Sequence, residues 1–369
     1  MLRKDCLAPE SGQNMNLIFD PYRLDALLAG EEAAEAALLK RRGAKKYLAE
    51  LGEDLARLAG RKRCIFTDSG RTAIEAGLSA LGAGRGKTVA LNNLTHHSLL
   101  EAVLKSGARP LPVEAGPQTL NPGVSSLKKP AKNTDMLLLA HMFASCGDVS
   151  AIKTLCLERG IKMLEDASQA IGLKYAGKPL GSFGDISVFS LSPYKPVSCM
   201  GIKTGALLFD DDRYSAVLAR SFPACRSSLE AAAPMLRVKL RNLQLILLDL
   251  KESNARFRAR LGKIPQLRLA GVGAAAQEIP LFVNGGLAAG LLAFLEKAGI
   301  KPERKYTPFH TTLGLADRSY PVSALYRAQA LHLPVYCKMT KSEIDYVCSV
   351  INGFFKNHRA RPRRPLARI

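Results

Sequence analysis

Between residues 62 and 210 the chain alternates short apolar runs with helix-patterned stretches, and this alternation limits its fold more than any other feature. "CIFTDSG" reads as a strand that runs into the helical "RTAIEAGLSALGAG". "TVALNN", "RPLPVEA", "DMLLLAHM" and "IKMLEDA" read as further strands, with "HSLLEAVLKSGA" and "VSAIKTLCLERG" as helices between them. "DISVFSL" and "GALLFD" complete the run. Strands that alternate with helices in this way imply an α/β fold, a largely parallel sheet covered by helices on both faces. Ligands of such sheets sit at the C-terminal ends of the strands. Four places qualify here: Ser69/Gly70, Thr95/His96, Asp166 and Lys195.

Residues 30–60, rich in Ala, Leu, Glu and Lys and ending at Gly60, read as helical. From about 213 to 262 the chain is again helical, and basic. The expected division is a large domain over 1–250, including an N-terminal segment, and a smaller α+β domain over 251–369. The small domain carries a last helix, "TKSEIDYVCSVINGFF", opened by a Thr340/Glu343 capping box, and a basic tail.

The 369 residues contain 53 basic and 32 acidic side chains, a net charge of +21, which implies an anionic partner. Zinc-finger spacing and aromatic–basic interleaving are both absent, so nucleic acid is not the expected partner. Arg361, Arg363, Arg364 and Arg368 in the tail could touch an acidic membrane surface peripherally. Cysteines 6, 64, 146, 156, 199, 225, 337 and 348 show no CxxC, which reads as reduced thiols in a cytoplasmic protein. No metal-ligand spacing accompanies His96 and His97, and no metal is expected.

Each strand-end residue has an ordinary reading when taken alone. Ser69 is either a helix N-cap or the edge of an anion cradle, in which Gly70 lets backbone approach a phosphate and Arg71 adds a charged fork. Asp166 is either a cap or a buried charge partner, and Glu165 a solvated neighbour or a structural ion pair. Lys195 is either a surface lysine or an amine whose pKa falls in a dehydrated pocket. Taken together, a phosphate cradle, a carboxylate and a reactive lysine are the parts that hold pyridoxal phosphate, with His96 as a ring able to stack on the pyridine face.

The motifs occur in one order over residues 44–355: "DSGRTAIEAGLSALGAGRGKTVALNN", "AHMFASCGDVSAI", "LEDASQAIGLKYAGKPLGSFGDISVFSLSPYK" and "LHLPVYCKMTKSEIDYVCSVINGFF". In this the chain resembles the DegT/DnrJ/EryC1/StrS family of sugar aminotransferases. The resemblance implies the type I (aspartate aminotransferase-like) fold of pyridoxal-phosphate-dependent transferases. It implies amino transfer, with glutamate as donor and a keto sugar, nucleotide-linked, as acceptor, by a homodimer. It also implies roles. Lys195 is the Schiff-base lysine, Asp166 pairs with the pyridine nitrogen, Gln169 lies near the ring 3-hydroxyl and His96 takes the stacking position. Gly70, Arg71 and Ser190 contact the phosphate beside Ser69.

The chain departs from the family pattern at Arg71, where the family has Thr, and in "MGIKTGA", one residue longer than the family's stretch after the lysine. It also departs at Arg237 and Lys239, in a segment that in the family reaches the neighbouring subunit. His310 falls in a segment that resembles one near the family's substrate, and His332 reads as structural. Other readings are a sugar dehydratase, a cyclitol aminotransferase, or a non-catalytic basic protein that binds polyanions or membrane on the same scaffold. Lys195 opposes the dehydratase reading, because the dehydratases of the family carry His there.

Overall fold

The computed structural model describes residues 23–221, 226–271 and 273–358; Cys6, Cys225 and the four tail arginines lie outside the described residues. The strands in chain order are β1 (Arg63–Thr67), β2 (Thr88–Asn92), β3 (Arg109–Val113), β4 (Met136–Ala140), β5 (Lys162–Asp166), β6 (Lys174–Tyr175), β7 (Lys178–Pro179), β8 (Ile186–Ser190), β9 (Gly205–Phe209), β10 (Leu267–Leu269), β11 (Glu278–Val283) and β12 (Ala330–Pro334). Among the described residues, seven of these form one sheet in the order β1-β9-β8-β5-β4-β2-β3. The neighbours β3, β2, β4, β5 and β8 pair in parallel, whereas β9 runs antiparallel to both β8 and β1. Strands β2 and β4 are buried at every residue, the pattern of a sheet covered on both faces.

The helical stretch expected over 30–60 is two helices, Arg23–Arg42 and Ala44–Leu58. The break falls at Gly43, whose φ of +81° is left-handed and open to glycine without steric cost. The basic region likewise divides into helices Arg213–Ser221, Arg226–Arg241 and Leu243–Leu261. Residue 250, the expected domain boundary, falls inside the last of these.

A second, antiparallel sheet, β10-β11-β12, is followed by the helix Lys341–Asn357, whose capping box is formed as expected: Glu343 N–H donates to Thr340 Oγ1 at 3.1 Å and Thr340 N–H to Glu343 Oε2 at 2.6 Å. Backbone contacts tie the two sheets together. Gly273 N–H donates to Phe143 O at 2.8 Å, and a Cβ at Gly273 would fall 1.6 Å from Ala144 O. Phe309 N–H donates to Asn93 O at 3.0 Å. The fully buried His310 faces Asn93 with Nδ1 and Asp317 with Nε2, both at 2.9 Å, so it fastens segment 306–310 to the end of β2.

Candidate active site

The C-terminal ends of β1, β2, β5 and β8 bring the expected residues together at one edge of the sheet. After β1 the chain turns at Ser69, whose Oγ accepts Thr72 N–H at 3.1 Å and caps the helix Gly70–Ala80. Ala73 N–H reaches Ser69 O at 3.0 Å, so the first helical N–H groups, those of Gly70 and Arg71, have no acceptor within the helix. Two glycines make room for this turn. A Cβ at Gly70 would lie 2.8 Å from Ser190 Cβ, and a Cβ at Gly205 would lie 2.5 Å from Ser69 O. Gly205 was not anticipated from the sequence, although a glycine opening an apolar strand is a signal of close backbone approach.

Arg71 does not join this cradle with its side chain. Its guanidinium pairs with Glu101 at 2.8 Å on the surface and lies 3.3 Å from His97 Nε2. His96 caps the helix His97–Lys105, accepting Ser98 N–H on Nδ1 at 3.2 Å, with its ring 4.0 Å from that of His97. Partial burial, then the neighbouring His97, Lys195 and Arg71, push the His96 imidazole down to about 4, so it is neutral near pH 7.

Asp166 is buried at the end of β5, and its Oδ1 accepts Ser168 N–H at 3.0 Å. Ser168 Oγ in turn accepts Ser190 N–H at 3.0 Å, joining the carboxylate to the cradle. Glu165 is not solvated. It is fully buried and accepts from His141 Nε2 (2.9 Å) and from the N–H groups of Gly181 (2.6 Å), Phe183 (2.7 Å) and Gly184 (2.8 Å), shaping the turn into β8. Burial pushes the Glu165 carboxyl up, but His141 and these N–H groups outweigh it and leave it below the usual range.

Lys195 follows β8 in a turn closed by its N–H to Ser192 O at 3.3 Å. Pro193 and Tyr194 occupy the centre of that turn, and Tyr194 has a φ of +70°. Proline at the first central position and a positive φ at the second are the marks of a type II turn, strained for a residue other than glycine. Beyond Lys195 the longer loop closes on itself through a Cys199–Ile202 bridge, with Gly201 at φ +73°. Burial is the largest influence on the Lys195 amine and lowers its pKa; Asp166 and Glu278 oppose that shift, and Lys305 adds to it.

Two cavities share Lys305, and the first is lined by this loop. One, of about 580 Å³, is lined by Lys195, Ser198, Lys239, Gln277, Lys301 and Lys305 among others. The other, of about 540 Å³, is lined by His96, Tyr306 and again Lys305. Gln169 lies beside them, its Oε1 accepting Phe143 N–H at 2.7 Å and its Nε2 donating to Tyr306 Oη at 3.1 Å. Asp25, Glu278, Lys305 and Tyr306 carried no individual signal in the sequence as site residues, and Lys239 only as a departure from the family pattern; tertiary folding brings them here. Among the described residues no His/Cys/Asp/Glu cluster could hold a metal, and no helix is long and apolar enough to cross a membrane. The six described cysteines are free thiols.

The anion cradle fits a phosphate: unpaired N–H groups at a helix N-terminus, with no side chain at Gly70 to fill the space. With Asp166 and a depressed lysine beside it, the arrangement is that of a pyridoxal-phosphate-dependent transferase of fold type I. A sequence model of the DegT/DnrJ/EryC1/StrS aminotransferase family matches residues 30–225 and 226–352, and the chain belongs to that family of pyridoxal-phosphate-dependent aminotransferases. It is 22% identical over 347 residues to a GDP-perosamine synthase of Vibrio cholerae, covering 84% of this chain and 91% of that one. It is 25% identical to a UDP-2-acetamido-2-deoxy-3-oxo-D-glucuronate aminotransferase of Pseudomonas aeruginosa, covering 82% and 89%. Among solved structures, DesV of S. venezuelae superposes with a TM-score of 0.79 at 21% identity, covering 93% of this chain and 98% of that one.

Proposed function

We propose that the protein transfers an amino group from glutamate to a nucleotide-linked keto sugar, with Lys195 as the reacting amine. The observation that carries this reading is the placement of Lys195, after β8, in the wall of a cavity, with the buried Asp166 ending the adjacent strand β5. Relatives named for GDP- and UDP-linked sugars support the acceptor class. Lys301 supplies positive charge suited to a diphosphate, while Lys239 and Lys305 in the same wall are paired with Asp25 and with Glu278 and Glu303.

When bound, pyridoxal phosphate supplies an electron sink conjugated with the reacting carbon. Lys195 would hold the cofactor through Nζ, and the same Nζ would move a proton at the substrate carbon. A lowered pKa leaves more of the amine neutral and able to do both. Asp166 keeps the pyridine nitrogen protonated, its orientation fixed by Ser168 N–H. His96, neutral at working pH, would stack on the ring. Gln169 would lie near the 3-hydroxyl. Ser69, Gly70 and Ser190 receive the phosphate, and Arg71 offers its backbone N–H, since its guanidinium is engaged by Glu101.

We read the active form as a cytoplasmic homodimer. Tyr194 and Met200 stand exposed in the Lys195 loop, apolar surface that a second copy would cover. Sedimentation at micromolar concentration tests the dimer. The acceptor is tested by incubating the protein with glutamate and a panel of nucleotide-linked 3- and 4-keto hexoses, with amines detected by mass spectrometry. Amination of free keto cyclitols alone would overturn the nucleotide-linked reading.

A further inference from the structure

A second carboxylate lies beside the Lys195 cavity. Glu278 opens β11, is buried, and immediately follows Gln277 in the cavity wall. Among the described residues, each polar side chain that bonds or pairs with it can donate. His332 Nδ1 on β12 is 3.1 Å from Oε2, Tyr306 Oη donates to Oε1, and Lys305 Nζ is 3.4 Å from Oε2. A carboxylate with only donors around it is held ionised. Burial pushes Glu278 up, but His332, Lys305 and Tyr306 outweigh it and bring it down to about 2.

The network has a direction. Tyr326 Oη lies 2.6 Å from His332 Nε2, and His332 faces Glu278 with its other nitrogen. Because Tyr306 spends its hydrogen on Glu278, its oxygen is free to accept Gln169 Nε2–H. Phe143 N–H fixes the other end of the same amide at Oε1. The small-domain carboxylate therefore reaches, through one hydroxyl, a side chain of the large domain.

We propose that Glu278 is a positioning residue of the active site: its buried carboxylate holds Tyr306, which orients the amide of Gln169, and its fixed negative charge faces the cavity that Lys195 and Lys305 share. This rests on the reading of Lys195 as the reacting amine. The charged and titratable groups that act on Lys195 come from separate elements: Asp166 on β5, Glu278 on β11, and Lys305 in the segment before Tyr306; His96, ahead of the helix His97–Lys105, is coupled to it as well. Those around Glu278 are His332, Tyr306, Tyr326 and Lys305. Lys305 is exposed and opposes Glu278 at Lys195.

The test measures the proton affinity of Lys195 in two ways on the full chain. Competitive acetylation of the cofactor-free protein across pH, read by peptide mass spectrometry, reports the amine directly. The pH midpoint of the visible absorbance reports it in the cofactor-loaded protein. Glu278→Gln should lower both midpoints by about one pH unit, the scale of a lost neighbouring charge. Lys305→Met, at an exposed site that tolerates change, should raise them. Tyr306→Phe should leave the acetylation midpoint within a few tenths of a unit while weakening cofactor affinity through Gln169. An unmoved midpoint in Glu278→Gln would overturn the proposal, with Lys305→Met as the control that the midpoint responds to a neighbouring charge. Should Glu278→Gln not fold, Tyr306→Phe decides: cofactor affinity equal to that of the parent protein would overturn the hold on Gln169. A chain that binds no cofactor would overturn the functional reading, yet the acetylation midpoints would still decide the role of Glu278.

Discussion

Lys239 and Asp25 face each other at 2.5 Å in the wall of the Lys195 cavity, with side-chain exposures of 4% and 9%. The pair joins helix Arg226–Arg241 to the helix Arg23–Arg42. From Lys239 a chain continues to the reacting loop: Nζ donates to Ser198 Oγ at 3.3 Å, and Ser198 Oγ donates to Lys195 O at 2.8 Å. Removing one partner strands a buried charge, which costs about 3–5 kcal/mol. Asp25→Ala should therefore lose stability on that scale in urea denaturation, and Asp25→Leu/Lys239→Met should recover much of it. A double variant as unstable as the single one would refute the pairing.

The cradle separates two neighbouring residues. Gly70→Ala forces a Cβ to 2.8 Å from Ser190 Cβ, overpacking that costs about 1–3 kcal/mol and should weaken cofactor affinity at least tenfold. Arg71→Ala should change it less than about threefold, because a surface pair such as Arg71–Glu101 contributes little. Equilibrium titration with pyridoxal phosphate measures both. A large loss in Arg71→Ala alone would mean that the guanidinium leaves Glu101 for the phosphate.

His96 contributes as a ring, not as a charge. His96→Ala should reduce cofactor affinity about tenfold, on the scale of an aromatic stacking contact, and His96→Phe should restore it. Failure of Phe to rescue would point to the Nδ1 cap on Ser98 as the feature that matters.

Acid stability tests the capping box. Burial raises the Glu343 carboxyl, but Arg23 at 2.8 Å and the Thr340 N–H and hydroxyl outweigh it and depress the carboxyl from 4.5 to about 2. A depressed carboxyl contributes stability that is complete above its unfolded value and is lost as pH falls through the folded one. Stability should thus decline between about pH 4.5 and 2, and Glu343→Gln should flatten that part of the urea-midpoint profile. An unchanged slope in the variant would contradict the assignment.

The parallel sheet was legible because β4 is a continuous apolar run and β2 and β5 hold shorter apolar runs, with helix-length stretches along the chain between strands. The break at Gly43 was not, since a glycine within an Ala- and Lys-rich stretch reads as a tolerated helical residue until its φ is known. Ser69, Gly70, Asp166 and Lys195 stood out because each ends or follows an apolar run. Glu278 and Tyr306 did not. Glu278 begins a strand in the manner of an ordinary surface residue, and only the packing of β12 and the 305–306 segment makes it buried and ionised. At Arg71 sequence position gives the place at the cradle but not the side chain's direction: in the structure its guanidinium pairs with Glu101, one helix away.

The most direct test of Lys195 as the working amine is the absorbance spectrum of the pyridoxal-phosphate-loaded protein, recorded before and after excess glutamate with no acceptor present, beside Lys195→Ala. The expected result is a visible band that depends on Lys195, is bleached by glutamate, and is matched by stoichiometric 2-oxoglutarate. A band that persists in Lys195→Ala, or one that glutamate leaves unchanged with no 2-oxoglutarate formed, would contradict it.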